Sequence, residues 1–232
     1  MKLPIFFEKH LFLAVLAYSG ISLIYGENRE PAIALFNGKD LTGWSAHDMS
    51  YWSVVDGAIV GTAGKNKIKG NQFLWHEREV RDFYLALSVR QVPFAANAGI
   101  QFRSQSRPGG SAFGYQADVG KGWWGTLYHE HGRKILAQNK DLDGKNINHE
   151  GWNQYEILAM GPDIWLSLNG TITVALHDPK GERSGRIALQ VHGGMPQRVE
   201  YKGLNLTENP KGGIAGFNPN ALREFLRKAR TH

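Results

Sequence analysis

From Ala32 to about Thr207 the chain alternates apolar and polar residues in short runs broken by Gly, Asn and Asp. An apolar residue at every second position places one face of a strand against a core and leaves the other to solvent. The pattern predicts strands at 52–55, 58–61, 83–89, 98–103, 114–119 and 126–129. Further strands are expected at 154–159, 164–168, 171–176, 186–191 and 199–206. Asp56-Gly57 and Asn169-Gly170 each separate two such runs, and both pairs supply the positive φ angles of a two-residue β-hairpin. No apolar pattern of helical period precedes Asn218. Many strands without crossover helices predict an all-β fold: an antiparallel two-sheet jelly-roll sandwich with a short C-terminal helix.

Both ends of the chain depart from this pattern. Lys2 and Glu8-Lys9-His10 precede a largely apolar run of 14 residues, Leu11 to Ile24, followed by polar Glu27-Asn28-Arg29-Glu30. That run is short of the roughly 20 residues a membrane-spanning helix needs, so residues 1–26 are expected to be an export signal with no permanent membrane span. An uncleaved anchor is the alternative. Residues 27–210 form the expected sandwich, and 211–232 a Gly-rich linker with a basic helix. Asn218 is a candidate cap with Pro219 at the first helical position, and Leu222, Phe225 and Leu226 share a face. Such a helix can dock on the sandwich or meet an acidic surface, but a solvated tail is the plainer expectation.

Composition narrows the chemistry. The 232 residues include no cysteine, so disulfides, thiolate metal sites and a catalytic Cys are excluded. The net charge of +6 does not mark a nucleic-acid partner. Residues 211–232 carry +4 of it and residues 1–26 another +1, which leaves the body at +1. Phosphate-loop, serine-elbow, zincin and dinucleotide motifs are missing, as is the E-x-D-x-x-E run of many jelly-roll glycosidases.

Polar residues concentrate between 101 and 140. Gln101 and Arg103 fall on one strand face, Gln116 and Asp118 on another, and residues 127–133 bring together Tyr128, His129, Glu130, His131 and Arg133. If these strands are neighbours, Arg103, Gln116, Asp118, Tyr128 and Glu130 converge on one concave surface. An Arg beside an Asp on strands is most often a structural ion pair. His129 and His131, spaced i and i+2, are candidate metal ligands, although a third ligand is not named by the sequence. Trp123-Trp124 between Gly122 and Gly125 suits stacking against a sugar ring, and Gln190-Val191-His192-Gly193-Gly194 ends a strand where backbone can approach a ligand.

Several segments in order resemble one family. They begin with Leu35-Phe36-Asn37-Gly38-Lys39-Asp40-Leu41-Thr42-Gly43-Trp44 and Trp52-Ser53-Val54-Val55-Asp56-Gly57, and continue with Asn97-Ala98-Gly99-Ile100-Gln101-Phe102-Arg103. Gly114-Tyr115-Gln116-Ala117-Asp118, Gly125-Thr126-Leu127-Tyr128, Trp152-Asn153-Gln154-Tyr155-Glu156 and Gly185-Arg186-Ile187-Ala188-Leu189-Gln190-Val191-His192-Gly193 follow. Over residues 33–208 the chain resembles the 3-keto-disaccharide hydrolase family. The resemblance implies a concanavalin-like jelly roll in an exported bacterial protein. It also implies cleavage of glycosides whose C3 hydroxyl a separate sugar 3-dehydrogenase has oxidised.

A C3 ketone acidifies the C2 proton, so a base can remove it, the C1 substituent can leave by β-elimination, and water can add to the product. Such a site needs a base, an electrophile for the enolate oxygen and an acid for the leaving oxygen. The resemblance does not assign these roles; from the polar cluster, Glu130 or Asp118 is the expected base, and Arg103, with or without a bound cation, stabilises the enolate. Tyr128 or His131 protonates the leaving group. Gln116 and His192 orient sugar hydroxyls, Trp124 stacks on the ring, and Gln101 and Arg133 complete the substrate-binding set. A divalent cation is left open, with His129 and His131 as its candidate ligands. The competing expectations are a non-catalytic carbohydrate-binding sandwich and a structural or adhesive surface module.

Overall fold

A computed structural model of the chain describes residues 31–64, 70–140, 144 and 146–230. The expected export signal lies outside the described residues. The first five strands are β1 (Ile33–Ala34), β2 (Trp44–Ala46), β3 (Trp52–Val55), β4 (Ala58–Ala63) and β5 (Gln72–Val80). The next five are β6 (Phe83–Val92), β7 (Asn97–Ser106), β8 (Ala112–Gly120), β9 (Leu127–Glu130) and β10 (Lys134–Ala137). Then come β11 (Asn153–Met160), β12 (Asp163–Leu168), β13 (Thr171–His177), β14 (Gly185–Val191) and β15 (Gln197–Glu208), with one helix, α1 (Pro219–Arg230).

One sheet runs β13-β12-β11-β6-β15-β4-β3, with β1 also on β15, and the other runs β10-β9-β8-β7-β14-β5-β2. All the pairings are antiparallel, and the expected two-sheet jelly roll with a C-terminal helix is what the chain adopts. Asp56-Gly57 and Asn169-Gly170 make the two hairpins, with φ of 49° and 71° at the first and 48° and 79° at the second.

The core lies between the sheets. Leu85, Leu87, Val89, Tyr155, Ile157, Val199 and Tyr201 come from one inner face, and Ile100, Phe102, Tyr115, Ala117, Val119, Leu127 and Leu189 from the other. Burying these alternate positions sends their neighbours Gln101, Gln116, Asp118, Tyr128 and Glu130 to the outer face of the second sheet.

Four strands fall outside the expected runs: the very short β1 and β2, and also β5 and β10. β5 carries His76-Glu77-Arg78-Glu79, a charged stretch that breaks the alternation, and three of its positions are exposed beside the short edge strand β2. β10 is an edge strand of four half-buried or exposed residues, so it lacks an apolar face to read.

The tail docks. Asn218 Oδ1 accepts from the backbone N–H of Ala221 at 3.0 Å and caps α1. Leu222 and Leu226 then pack with Tyr84, Leu158, Trp165 and Ile214 on the outer face of the first sheet. The Trp165 indole N–H donates to Leu222 O at 3.3 Å, and the basic residues Arg223, Arg227 and Lys228 stay exposed. Among the described residues no helix is long and apolar enough to cross a membrane.

Because Leu222 is buried under this helix, Leu222→Ala should lower the unfolding free energy by about 2–3 kcal/mol. Urea denaturation followed by tryptophan fluorescence, through Trp165, checks this; an unchanged midpoint would mean that the helix is undocked in solution.

Candidate active site

Register brings the polar residues together. Gln101 of β7 pairs with Gln116 of β8, and Gln116 pairs with Tyr128 of β9, so these three form one row across the sheet. The next row holds Gln190, Gly99 and Asp118, and Glu130 stands opposite Gly114 one step the other way. A cavity of about 310 Å³ opens over them. Its walls include Gln116, Asp118, Tyr128 and Glu130, joined by Trp123 and His192. Asn71 and Asn97 also line it.

The turn from Gly120 to Thr126 builds one wall. Trp123 and Trp124 both donate their backbone N–H groups to Gly120 O, at 2.9 and 3.0 Å, and the two indoles point opposite ways. Trp123 meets Tyr128 edge to face, with ring centroids 6.1 Å apart, and faces the cavity. Trp124 is 1% exposed and belongs to the core, so the indole that lines the cavity is that of Trp123 and not that of Trp124. Asn71 is held from the opposite side, its Oδ1 accepting from Gly193 N–H at 3.1 Å. His192 Nδ1 donates to Gly193 O at 2.6 Å.

A chain of hydrogen bonds runs along the floor. Gln101 Nε2 donates to Gln116 Oε1 at 2.5 Å and Gln116 Nε2 to Asp118 Oδ1 at 2.5 Å, while Ser104 Oγ stands within reach of Gln101 Oε1, Phe102 O and Tyr115 O at 2.9, 2.9 and 3.1 Å. Gln101 is fully buried and therefore holds Gln116 in place without itself lining the cavity. Gly99 makes this geometry feasible, since a Cβ there would stand 2.6 Å from Gln116 Cδ. Asp118 is 2% exposed, and its Oδ2 is buried with no hydrogen-bond partner.

Electrostatics in the cavity disfavour charge on its acids. Burial raises the Asp118 pKa well above its ordinary value, Glu130 adds like-charge repulsion, and only the bond from Gln116 opposes them. Burial raises Glu130 too, partly offset by His131 and His192. The Tyr128 phenol is pushed up by burial and then by Glu130 and Asp118, so it stays protonated at neutral pH. Among the described residues no lysine or arginine lines the cavity.

Four sequence-predicted residues lie elsewhere. Arg103 sits at a bulge in β7, where the register with β8 shifts after Phe102, and its φ of 46° turns the side chain away from the outer face. It is completely buried, and it donates to Arg81 O at 2.6 Å, Gly161 O at 2.8 Å and Asp82 Oδ1 at 3.0 Å. It therefore ties connections between strands together and does not reach Asp118 or the cavity.

His129 alternates with Tyr128 and Glu130, so it faces inward, where its Nε2 pairs with Glu182 Oε2 at 2.9 Å. His131 lies past the strand end in a turn, at φ 49° and half exposed, with Nε2 3.7 Å from Glu130 Oε1. The two imidazoles consequently share no face. Arg133 holds Asp178 through two bonds of 2.9 and 2.7 Å and lies over the Tyr115 ring, away from the cavity. Among the described residues no three His, Asp or Glu side chains gather as a metal site.

Asn71 precedes β5, a strand that the alternation does not predict, and Asn97 stands out in the sequence only as the first residue of a segment that carries the family resemblance.

Residues 31–207 match the family of 3-keto-alpha-glucoside-1,2-lyase-like domains. The chain belongs to that family. No curated protein matches it. Among solved structures, it is similar to a candidate glycosyl hydrolase from Parabacteroides distasonis, with 21% identity and a TM-score of 0.57 over 76% of this chain and 93% of the other. A carbohydrate-binding module from Bacillus subtilis aligns at 13% identity and a TM-score of 0.53, covering 73% of this chain and 98% of that one. The β-glucanase of Bacillus licheniformis aligns at 9% identity and a TM-score of 0.54, covering 78% and 100%. At these identities the structures share the jelly roll with this family member, and the fold serves catalysts and binding modules alike.

Replacing the buried guanidinium should cost stability and not chemistry. Arg103→Leu is expected to lose about 1–3 kcal/mol for each carbonyl left without a donor. Its ligand affinity, once measured, should match wild type; a folded variant that no longer binds sugar would return Arg103 to the site.

Proposed function

We propose that this lyase-like domain cleaves 3-keto-glucosides by β-elimination followed by hydration. The observation that carries the reading is the cavity itself: two carboxyl groups with raised pKa, a phenol and several amides converge beside an indole. A module that only binds sugar needs the indole and the amides, but gains nothing from two partly desolvated acids placed together. Family membership supplies the sugar class, and the geometry is compatible with it.

In this reading Trp123 packs on the pyranose face, and Asn71, Asn97 and His192 hold its hydroxyls. Glu130 is the base. It is the less buried of the two acids, and its carboxylate is raised toward the range in which a base is effective at neutral pH. It takes the C2 proton; the C–H electron pair forms a C2=C3 bond while the carbonyl pair moves to the C3 oxygen. When that pair returns, C1=C2 forms, the C1–O bond breaks, and the leaving oxygen takes a proton from Tyr128. Water then adds across C1=C2: the Tyr128 phenolate takes a proton from the water as its hydroxyl joins C1, and Glu130 returns its proton to C2, so both residues are reset and the net change is hydrolysis. A sugar 3-dehydrogenase is the class of enzyme that must supply the ketone. Export to the periplasm or beyond would place the protein where glycosides arrive.

The purified protein should release the aglycone from a 3-keto-glucoside and leave the unoxidised parent intact. In deuterated buffer the product should carry deuterium at C2 by NMR, and a chelator arm tests for a divalent cation. Folded protein inactive on several keto-glucosides, yet binding glycans, would point to a binding module.

Glu130→Gln should lower kcat by about 10²–10⁴-fold, the span of general-base catalysis, with little change in folding. Since the base must be ionised to act and its pKa is raised, kcat/KM should fall as pH drops through a limb lying above the ordinary glutamate range. A limb at or below that range would exclude Glu130.

A further inference from the structure

We propose that Asp118 acts as a neutral acid with its proton on Oδ2, donating a hydrogen bond to the enolate oxygen that forms at C3. The inference rests on the elimination reading and supplies the electrophile that Arg103, tied up elsewhere, does not provide.

Its first support is the polarity of the floor. Gln101 Nε2 donates to Gln116 Oε1 and Gln116 Nε2 to Asp118 Oδ1, so Asp118 receives an amide N–H at Oδ1. In a neutral acid the carbonyl oxygen is the better acceptor, so Oδ1 takes that role and the proton belongs on the other oxygen. That other oxygen, Oδ2, is the one left buried without a partner. A buried polar atom unpaired in the free protein is costly unless a ligand completes it. The C3 oxygen of a bound keto sugar, which gains charge as C2 loses its proton, is such a partner.

The second support is the charge around it. Asp118 is 2% exposed, Glu130 lines the same cavity, and among the described residues no lysine or arginine does. Two ionised carboxylates without a cation between them are unfavourable in such a place. The more deeply buried one is the one that stays protonated. The two carboxyls then divide the chemistry, with Glu130 ionised to remove a proton and Asp118 neutral to donate a hydrogen bond where negative charge appears. No net proton leaves Asp118 in the step. Its hydrogen bond strengthens as the enolate forms and relaxes when the C1–O bond breaks.

Gln101 and Gly99 are positioning residues in this scheme. Gln101 holds the Gln116 amide by its hydrogen bond, and Gly99 leaves the space over which Gln116 lies.

Two experiments test the inference. Asparagine copies a protonated Asp118, with its oxygen accepting from Gln116 and its NH₂ where the acid proton stood. Asp118→Asn should therefore keep kcat on a 3-keto-glucoside within about tenfold, and Asp118→Ala should lose about 10²–10³-fold, as for one donor to an oxyanion. If Asp118→Asn is as inactive as Asp118→Ala while both stay folded by circular dichroism, Asp118 is a base, or its amide turns oxygen into the cavity, and the inference fails.

The second uses protein labelled with ¹³Cγ aspartate, the Asp118 signal assigned by its loss in Asp118→Asn. That carbon should keep the protonated shift at pH 7; an ionised shift overturns the inference whatever the kinetics. Wild-type protein that turns over no keto-glucoside overturns the elimination reading and the donor role with it. An active wild type with an ionised Asp118 overturns only the latter.

Discussion

The register between β7 and β8 is the constraint on which the rest of this molecule depends. Because Ile100 meets Ala117 and Phe102 meets Tyr115 on the inner face, Gln101 must meet Gln116, and Gly99 must meet Asp118, on the outer one. A slip of one residue would carry Gln116 and Asp118 into an apolar core and expose Tyr115 and Ala117. The energy of burying those inner side chains thus also fixes where the polar row stands. β9 inherits the same phase through Gln116 and Tyr128, and Glu130 follows two residues on. Where the register changes, at the bulge after Phe102, the next side chain leaves the row, and Arg103 becomes a strut between connections and not a member of the cavity.

This explains what could be read in the sequence. Strict alternation is a local property, so the strands that keep it, both hairpin turns and the shared faces of Gln116 with Asp118 and of Tyr128 with Glu130 were legible, whereas β1, β2, β5 and β10 were not. The same rule applied to Gln101 and Arg103 fails, because a bulge resets the phase and an arginine at φ 46° has no sequence signature. His129 and His131 fail for a related reason: the strand ends at Glu130, so a period of two no longer relates the residues on either side of that boundary. Trp123 and Trp124 share a turn whose shape decides which indole goes inward, and composition does not specify that shape. Asn71 and Asn97 reach the cavity from strand starts distant in the chain, which only the sheet order β9-β8-β7-β14-β5 brings together.

The electrostatic character of the cavity follows from the same arrangement. With Arg103 and Arg133 committed to Asp82 and Asp178, the acids over the outer face have no lysine or arginine beside them among the described residues that line the cavity. Donors in the cavity are amides, a phenol and histidine. A substrate carrying its own carboxylate or phosphate would meet two acids there and, among the described lining residues, no lysine or arginine, whereas a neutral sugar would meet hydrogen-bonding groups and an aromatic wall. The family's sugar class and the charge of the site agree in this respect, though they derive from independent observations.

Glycosidases with two carboxylates place them across the scissile bond, one on either side of the anomeric carbon, and need both to exchange protons or form a bond there. Here Asp118 and Glu130 rise from adjacent strands of one sheet, so that in the proposed reaction both would approach the sugar from the same side. That arrangement suits a reaction in which a single face of the ring carries both the departing C2 proton and the C3 oxygen that receives its electrons. A jelly roll can shift from holding a sugar to eliminating from one without altering its strands, provided that its central row buries an acid without a cation and fixes the hydrogen-bonding direction of the amide beside it.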